Sequence, residues 1–334
     1  MADEPYVGRF APSPTGPLHF GSLLAAMASY ADSLAHNGRW LVRIEDVDEP
    51  RSQAGAAEHI LHTLERHEFR WHGEVVVQST RKNLYENALA TLQAAGAVFT
   101  CTCTRKMLEN QPQNVSGERM YPGTCSALPP PGGEGWGESD RAALNRSQPM
   151  LAGCASTRPV NRLPPPSPTG GSGSAVRVRV PNETLAWHDR HLGAQSQHLA
   201  TEVGDFIIKR SDGLFAYQLA VVVDDAVQGI THVVRGADLL TSTVRQIYLQ
   251  RLLVARSPQY LHIPVAVNGR GEKLSKQTLA PALNAADALT NLLAGWHALN
   301  QLPAPNPKTI AQFWTHAAST WSVARLPRLL TLTV

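Results

Sequence analysis

Hydrophobic and polar positions follow two rhythms along this chain, and the switches between them mark its elements. Tyr6–Ala11 is a short apolar run ended by Pro12-Ser-Pro-Thr-Gly-Pro17, which predicts a strand leaving a sheet through a tight turn. From Gly21, residues Leu23, Leu24, Met27, Tyr30, Ala31 and Leu34 recur at helical spacing, and Asn37-Gly38 supplies the stop. Trp40–Ile44 predicts a second strand, residues 54–69 a helix, 75–78 a third strand, and 82–95 a helix closed by Gly96. Strand and helix alternating through short connections imply a parallel, doubly wound sheet.

That order breaks at residues 126–174, where long Pro/Gly/Ser stretches carry almost no apolar periodicity and predict a flexible insertion. Ala175–Val180 alternates like a strand. Residues 205–236 read as strand-rich: Phe206–Lys209, a turn at Asp212-Gly213, a strand over Ala216–Val223, and another beginning at His232. A helix is expected over 242–254, and Ile263–Val267 leads into a loop containing Lys273-Leu-Ser-Lys276. Residues 281–334 look helical, and there is no internal repeat.

Composition adds bounds. A chain of 334 residues, 43% hydrophobic and 17% charged, has room for a sizeable core and for two domains or one domain with an insertion. The net charge of +3 permits a polyanionic partner without requiring one. Met1–Tyr6 lacks a basic start and an apolar stretch, and no run approaches the roughly 20 apolar residues that span a bilayer. A cytoplasmic protein is therefore expected, and the Asn-x-Ser/Thr triplets at Asn114, Asn145 and Asn182 are chance matches. Four cysteines in such a chain point to metal or free thiols, and Cys101, Cys103 and Cys125 cluster.

Two separated segments carry the chemistry: Arg9-Phe-Ala-Pro-Ser-Pro-Thr-Gly-Pro-Leu-His19-Phe-Gly21-Ser22 and Lys273-Leu-Ser-Lys276-Gln277. A strand running into a turn at a helix N-terminus offers backbone N–H groups and a positive dipole end to phosphate. His19 can donate to a phosphate oxygen, and Gly21 leaves room for an adenine ring against the backbone. Lys276, on a loop from the other side, is a mobile cation able to follow charge onto leaving pyrophosphate. Alone, a His-x-Gly or a Lys-x-Ser-Lys is commonplace, an incidental helix start or a solvated basic loop. Their joint occurrence after an early and a late strand describes ATP held from two sides by an enzyme that adenylates a carboxylic acid.

These segments resemble the two signatures of the class I aminoacyl-tRNA synthetases. Arg43-Ile-Glu45-Asp-Val-Asp-Glu-Pro-Arg51 and His232-Val-Val-Arg235-Gly-Ala-Asp-Leu narrow the resemblance to the glutamyl branch, over roughly residues 6–125 and 175–280. The resemblance implies ATP with Mg2+ as substrate, held by His19, Gly21, Ser22, Lys273 and Lys276, with His19 and Lys276 catalytic. It implies glutamate held by Arg9, Ala11, Ser13, Glu45, Tyr217 and Arg235. Guanidinium forks match the two carboxylates, and Glu45 suits the ammonium. Asp46, Asp48 and Arg51 are expected to brace their loop through salt bridges, and a pairing of Glu45 with Arg43 is the plainer alternative for that residue.

Residues 278–334 are too few for the anticodon-binding region of true glutamyl- and glutaminyl-tRNA synthetases. The chain is therefore similar to the truncated branch of the family. That branch activates L-glutamate without tRNA and esterifies queuosine in the anticodon of tRNA(Asp), an acceptor reached through unpaired bases. A discriminating glutamyl-tRNA synthetase without its anticodon domain, or a non-catalytic RNA-binding paralogue, are the alternatives. A pantothenate-synthetase-like ligase would give no reason for the cysteines.

Those cysteines offer three thiolates where zinc wants four ligands. Tyr121, Cys154 or water is the fourth; the family pattern, Cys-x-Cys followed by Tyr-x-x-x-Cys, favours Tyr121 in a structural site with Cys101, Cys103 and Cys125. The expected fold is α/β, a Rossmann-like doubly wound parallel sheet in two halves, 1–100 and 205–280. A zinc-bearing acceptor-type subdomain at 101–204 would be inserted between them, with a short helical region at 281–334 and a monomer overall.

Overall fold

Residues 5–115, 117–126, 173–274 and 281–334 are described by the computed structural model of this chain. In chain order the first elements are β1 (Val7–Phe10), α1 (Phe20–Ala35), β2 (Arg39–Ile44), α2 (Ala56–Arg66), β3 (Val76–Val77), α3 (Lys82–Ala94) and β4 (Val98–Cys101). Next come β5 (Ala175–Val178), β6 (Thr184–Asp189), β7 (Gly193–His198), β8 (Phe206–Lys209), α4 (Tyr217–Val227), β9 (His232–Gly236) and α5 (Leu240–Leu252). The chain closes with β10 (Gln259–Ile263), β11 (Val265–Val267), α6 (Ala288–Ala298), α7 (Ile310–Thr320) and β12 (Thr331–Thr333).

β1 is buried at every position, as a central parallel strand must be. β2 pairs with it in parallel and β3 with β2. On its other side β1 meets the start of β9, where Thr231 N donates to Val7 O at 2.9 Å and Val7 N to Thr231 Oγ1 at 2.8 Å. β10 lies parallel to β9, β6 parallel to β10, and β7 closes that edge antiparallel to β6. The spatial order β3-β2-β1-β9-β10-β6 builds outward in two directions from the junction of β1 and β9. Such a junction opens a crevice beyond the strand C-termini, where α/β folds bind ligands. Among the described residues no helix is long and apolar enough to cross a membrane.

Alternation along the strands divides the core in two. Phe10, Trp40, Val42, Ile44, Val234 and Leu261 face a layer containing α1, α6 and α7, where Tyr30, Trp296, Phe313 and Trp314 pack edge to face and Phe69 packs tilted against Tyr30. Val7, Leu41, Val233 and Tyr260 face the opposite layer of α3, α4 and α5.

Two sequence expectations need correction. Ala216–Val223 is not a strand: Tyr217–Val227 is a helix, with Leu219 through Asp225 all buried. A helix wrapped by neighbours on every side loses its polar stripe, and its run of valines then imitates a buried strand. Residues 281–334 are helical only in part, since β12 pairs in parallel with β11. A smaller antiparallel sheet, β4-β5-β8, carries Cys101 at its edge. β6 and β7, inside the span 101–204, lie in the main sheet. The 126–174 insertion and Cys154 fall almost wholly outside the described residues.

Candidate functional site

The first signature segment and the described start of the second, Lys273 and Leu274, lie close in space. His19 is the N-cap of α1; its Nδ1 accepts from Ser22 N at 3.3 Å and its Nε2 lies 3.0 Å from Ser22 Oγ. A Cβ on Gly21 would stand 3.2 Å from His19 Cε1 and 3.5 Å from Ala266 Cβ, so a larger residue there would press on the histidine ring. Ala266 O in turn accepts from Leu274 N at 2.8 Å, and Ala282 bridges back to His19. The segment around Lys273 therefore enters and leaves beside the α1 N-terminus. Lys273 Nζ pairs with Asp238 Oδ2 at 2.5 Å. Asp238 folds back so closely that a Cβ on Gly236 would press on its Oδ1, so a larger residue there would displace the Asp238 side chain. Lys276 lies outside the described residues.

A second group of side chains is buried at the ends of β1, β2 and β9 and in α4. Arg9 Nε contacts Asp225 Oδ1 at 3.3 Å, and Arg43 Nη2 contacts the same oxygen at 2.8 Å and Glu45 Oε1 at 3.0 Å. All four residues are buried. Burial works against the Asp225 charge, but Arg9 and Arg43 overcome it and hold the carboxyl below the ordinary range. Burial likewise lifts the Glu45 carboxyl, and there the same two arginines do not fully offset it. Tyr217 opens α4; burial raises its phenol, and Glu45, Arg235, Arg9 and Asp225 all act on it electrostatically. The structure thus gathers Arg9, Glu45, Tyr217 and Arg235 around one point.

Arg235 is held differently. Its Nε donates to His262 Nε2 at 3.0 Å, Nη1 to Gln246 Oε1 at 2.8 Å, and Nη2 to Thr243 Oγ1 at 2.8 Å and Leu239 O at 3.3 Å. Burial depresses His262 to about 4, so these partners are all neutral near pH 7. Among the described residues no carboxylate forms an ion pair with Arg235, which is only 5% exposed.

Other expected residues lie around this group. Ala11 is half-buried and Ser13 exposed, on the loop after β1 that Glu45 N ties down by donating to Pro12 O at 2.9 Å. The Glu45–Arg43 pairing weighed as the plainer alternative is present. Asp46 departs from the expected arginine brace: it accepts from Ser79 N at 2.8 Å and Ser79 Oγ at 2.6 Å. Asp48 pairs with Arg210 at 2.9 Å and reaches Arg51 at 3.8 Å. Sequence reading missed Asp225. Its signal was two acids closing an apolar run, Val221-Val-Val-Asp224-Asp225, which becomes legible once that run is a helix.

The cysteines form a separate centre. The sulfurs of Cys101, Cys103 and Cys125 all lie within 4.8 Å of one another, and Cys103 Sγ stands 3.7 Å from Cys125 Sγ. Tetrahedral zinc with bonds of about 2.3 Å sets sulfurs roughly 3.8 Å apart, so the thiols fit that ion. The Tyr121 hydroxyl is hydrogen-bonded at Cys125 and helps lower that thiol to about 6, while Arg177 lies 4.5 Å over the Tyr121 ring.

With this geometry in hand, comparison with known proteins places the chain. The sequence profile of class I tRNA synthetases (E and Q), catalytic domain, matches residues 6–126 and 167–291. A glutamyl-Q tRNA(Asp) synthetase of Aromatoleum aromaticum is 47% identical over 331 residues, 98% of this chain and 93% of the relative. One from Thiobacillus denitrificans is 48% identical, covering 96% of this chain and 95% of its own. Among solved structures, a glutamate-tRNA synthetase from Elizabethkingia anophelis superposes with a TM-score of 0.70 at 20% identity. It covers 99% of this chain and 68% of that one, a likeness of fold.

Proposed function

This chain belongs to the class I tRNA synthetases (E and Q), and on that premise we propose that it is an ATP-dependent ligase for L-glutamate and queuosine-bearing tRNA(Asp). It activates glutamate as glutamyl-adenylate and transfers the glutamyl group to queuosine in the anticodon. The amino-acid half of this reading rests on Arg235, a buried guanidinium with only neutral hydrogen-bond partners, whose charge also acts on the Tyr217 phenol. A buried cation without a counterion is costly unless a ligand supplies the anion. A substrate carboxylate is that anion. Arg9 takes the other carboxylate, Glu45 the ammonium, and Ala11 and Ser13 flank the approach. The acceptor rests on the names of relatives that match this chain nearly end to end.

In the first step a glutamate carboxylate oxygen attacks the α-phosphorus of ATP and pyrophosphate leaves, with Mg2+ entering as the counterion of the ATP phosphates. His19, Gly21 and Ser22 receive phosphate at the positive end of α1, and Lys273 and Lys276 neutralise the leaving group from the opposite side. In the second step a queuosine hydroxyl oxygen attacks the acyl carbon, AMP leaves and the hydroxyl proton is released. Cys101, Cys103, Tyr121 and Cys125 would hold a structural zinc, which would tie the residues after β4 together.

Glutamate-dependent ATP–pyrophosphate exchange measured without tRNA tests activation, and charging of tRNA(Asp) with and without queuosine tests the acceptor. Exchange that requires tRNA would overturn the first part; charging of queuosine-free tRNA would overturn the second. Metal analysis should find one zinc per chain, lost in Cys103→Ser with exchange retained.

A further inference from the structure

Arg235 does not stand alone. His262 lies directly across from it in the register of β9 and β10. A guanidinium can only donate, so His262 Nε2, 3.0 Å from Arg235 Nε, must present its lone pair. The ring proton of neutral His262 is then on Nδ1, which donates to Asp189 Oδ2 at 2.6 Å. Asp189 ends β6 on the far side of β10. Its Oδ1 accepts from the backbone N–H groups of His191 at 3.0 Å and Leu192 at 2.9 Å. Burial opposes its charge, and the His262 hydrogen bond leads the forces that hold its carboxyl below the ordinary range. Asp189 and His262 are both fully buried, so neither faces solvent.

The chain of bonds runs in one direction, from turn amides through Asp189 and His262 to Arg235, across three adjacent strands. Each link dictates the next: an ionised Asp189 selects the Nδ1–H tautomer, and that tautomer alone leaves an acceptor for Arg235. We propose that His262, oriented by Asp189, is a positioning residue that sets the plane and direction of the Arg235 guanidinium for the substrate carboxylate. This rests on the reading of Arg235 as a glutamate ligand. The device resembles the carboxylate–histidine pairs that orient metal ligands, where removing the outer partner weakens binding about 10–100-fold.

Asp189→Asn is nearly isosteric and supplies the sharpest test. The asparagine amide donates to His262 Nδ1, which moves the ring proton to Nε2 and sets it against the Arg235 Nε–H. In glutamate-dependent ATP–pyrophosphate exchange, Asp189→Asn and His262→Leu should each raise the glutamate KM about 10–100-fold and leave the ATP KM within about twofold. The double variant should be no worse than the poorer single one, because both act on one bond. His262→Gln, whose side-chain oxygen can accept from Arg235, should recover part of the loss. A folded Asp189→Asn protein with an unchanged glutamate KM, or with glutamate and ATP KM rising together, would overturn the positioning role while wild-type activity stands. Absence of glutamate-dependent exchange in the wild-type protein would instead overturn the functional reading, and this role with it.

Discussion

Two buried arginine centres lie beside the junction of β1 and β9, and they solve the problem of a buried cation in opposite ways. At the ends of β1 and β2, Arg9 and Arg43 converge on one oxygen of Asp225, and Glu45 adds a second anion. That centre is balanced within the protein. In β9, Arg235 is surrounded by a histidine, an amide, a hydroxyl and a carbonyl. That centre is hydrogen-bonded but carries an unmatched charge. The balanced centre ties strands of the first half to α4 from the second, so Asp225 and Arg43 weigh on stability, alongside the substrate roles proposed for Arg9 and Glu45. The unmatched one is ready for an anion, so its weight falls on binding.

Substitution should separate the two. The largest effect is expected for Asp225→Asn, which leaves two buried guanidiniums facing one carboxylate; breaking such a set costs about 3–5 kcal/mol. Denaturant unfolding measures it, and a loss below about 1 kcal/mol would remove the structural role. Arg235→Gln should act on the other axis. Glutamate kcat/KM should fall roughly 30–1,000-fold, or about 2–4 kcal/mol of transition-state binding. Its unfolding free energy should drop less than that of Asp225→Asn, and the reverse order would collapse the comparison.

Acid gives a third and smaller contrast. The Asp225 carboxyl is held below its ordinary value of 3.8, so its contribution is complete above that pH and is lost as pH falls through the lower folded value. Glu45 has the opposite sign: its carboxyl is raised above 4.5, so its charge weakens the fold as pH rises through the folded value. Unfolding of Asp225→Asn should therefore be less sensitive to pH below 4 than that of the wild type. Glu45→Gln should cost less stability than Asp225→Asn, because burial already disfavours the Glu45 charge and Asp225 still faces both guanidiniums. It should nonetheless raise the glutamate KM, since Glu45 is the proposed partner of the substrate ammonium. A neutral effect on both would leave Glu45 as a mere companion of Arg43.

Much of this was legible in the residues, for identifiable reasons. β1, α1, β2, α2, β3 and α3 each carry a clear period and a turn or glycine stop, because each has one wet side or one sharp end. α4 carries neither, being apolar all round, and it was misread as a strand. That one misreading hid Asp225: in a strand its neighbours would lie on alternate faces, whereas in α4 it is aimed at Arg9 and Arg43. The partners of Arg235 were hidden for another reason. Thr243 and Gln246 come from α5 and His262 from β10, with Asp189 of β6 behind it, and no spacing rule links residues that meet only through the packing of separate elements.

The sequence by itself determined the chemistry on offer: a turn at a helix start suited to phosphate, a loop carrying Lys273 and Lys276, and three clustered thiols, whereas the dispersed set expected around an amino acid came only through the family resemblance. Local backbone geometry and residue type suffice for the turn, the loop and the thiols, since each motif is contiguous or nearly so. Only the tertiary structure decided which charges cancel and which remain open. That depends on which carboxylates reach which guanidiniums across the junction of β1 and β9, and on the burial that makes each unmatched charge expensive.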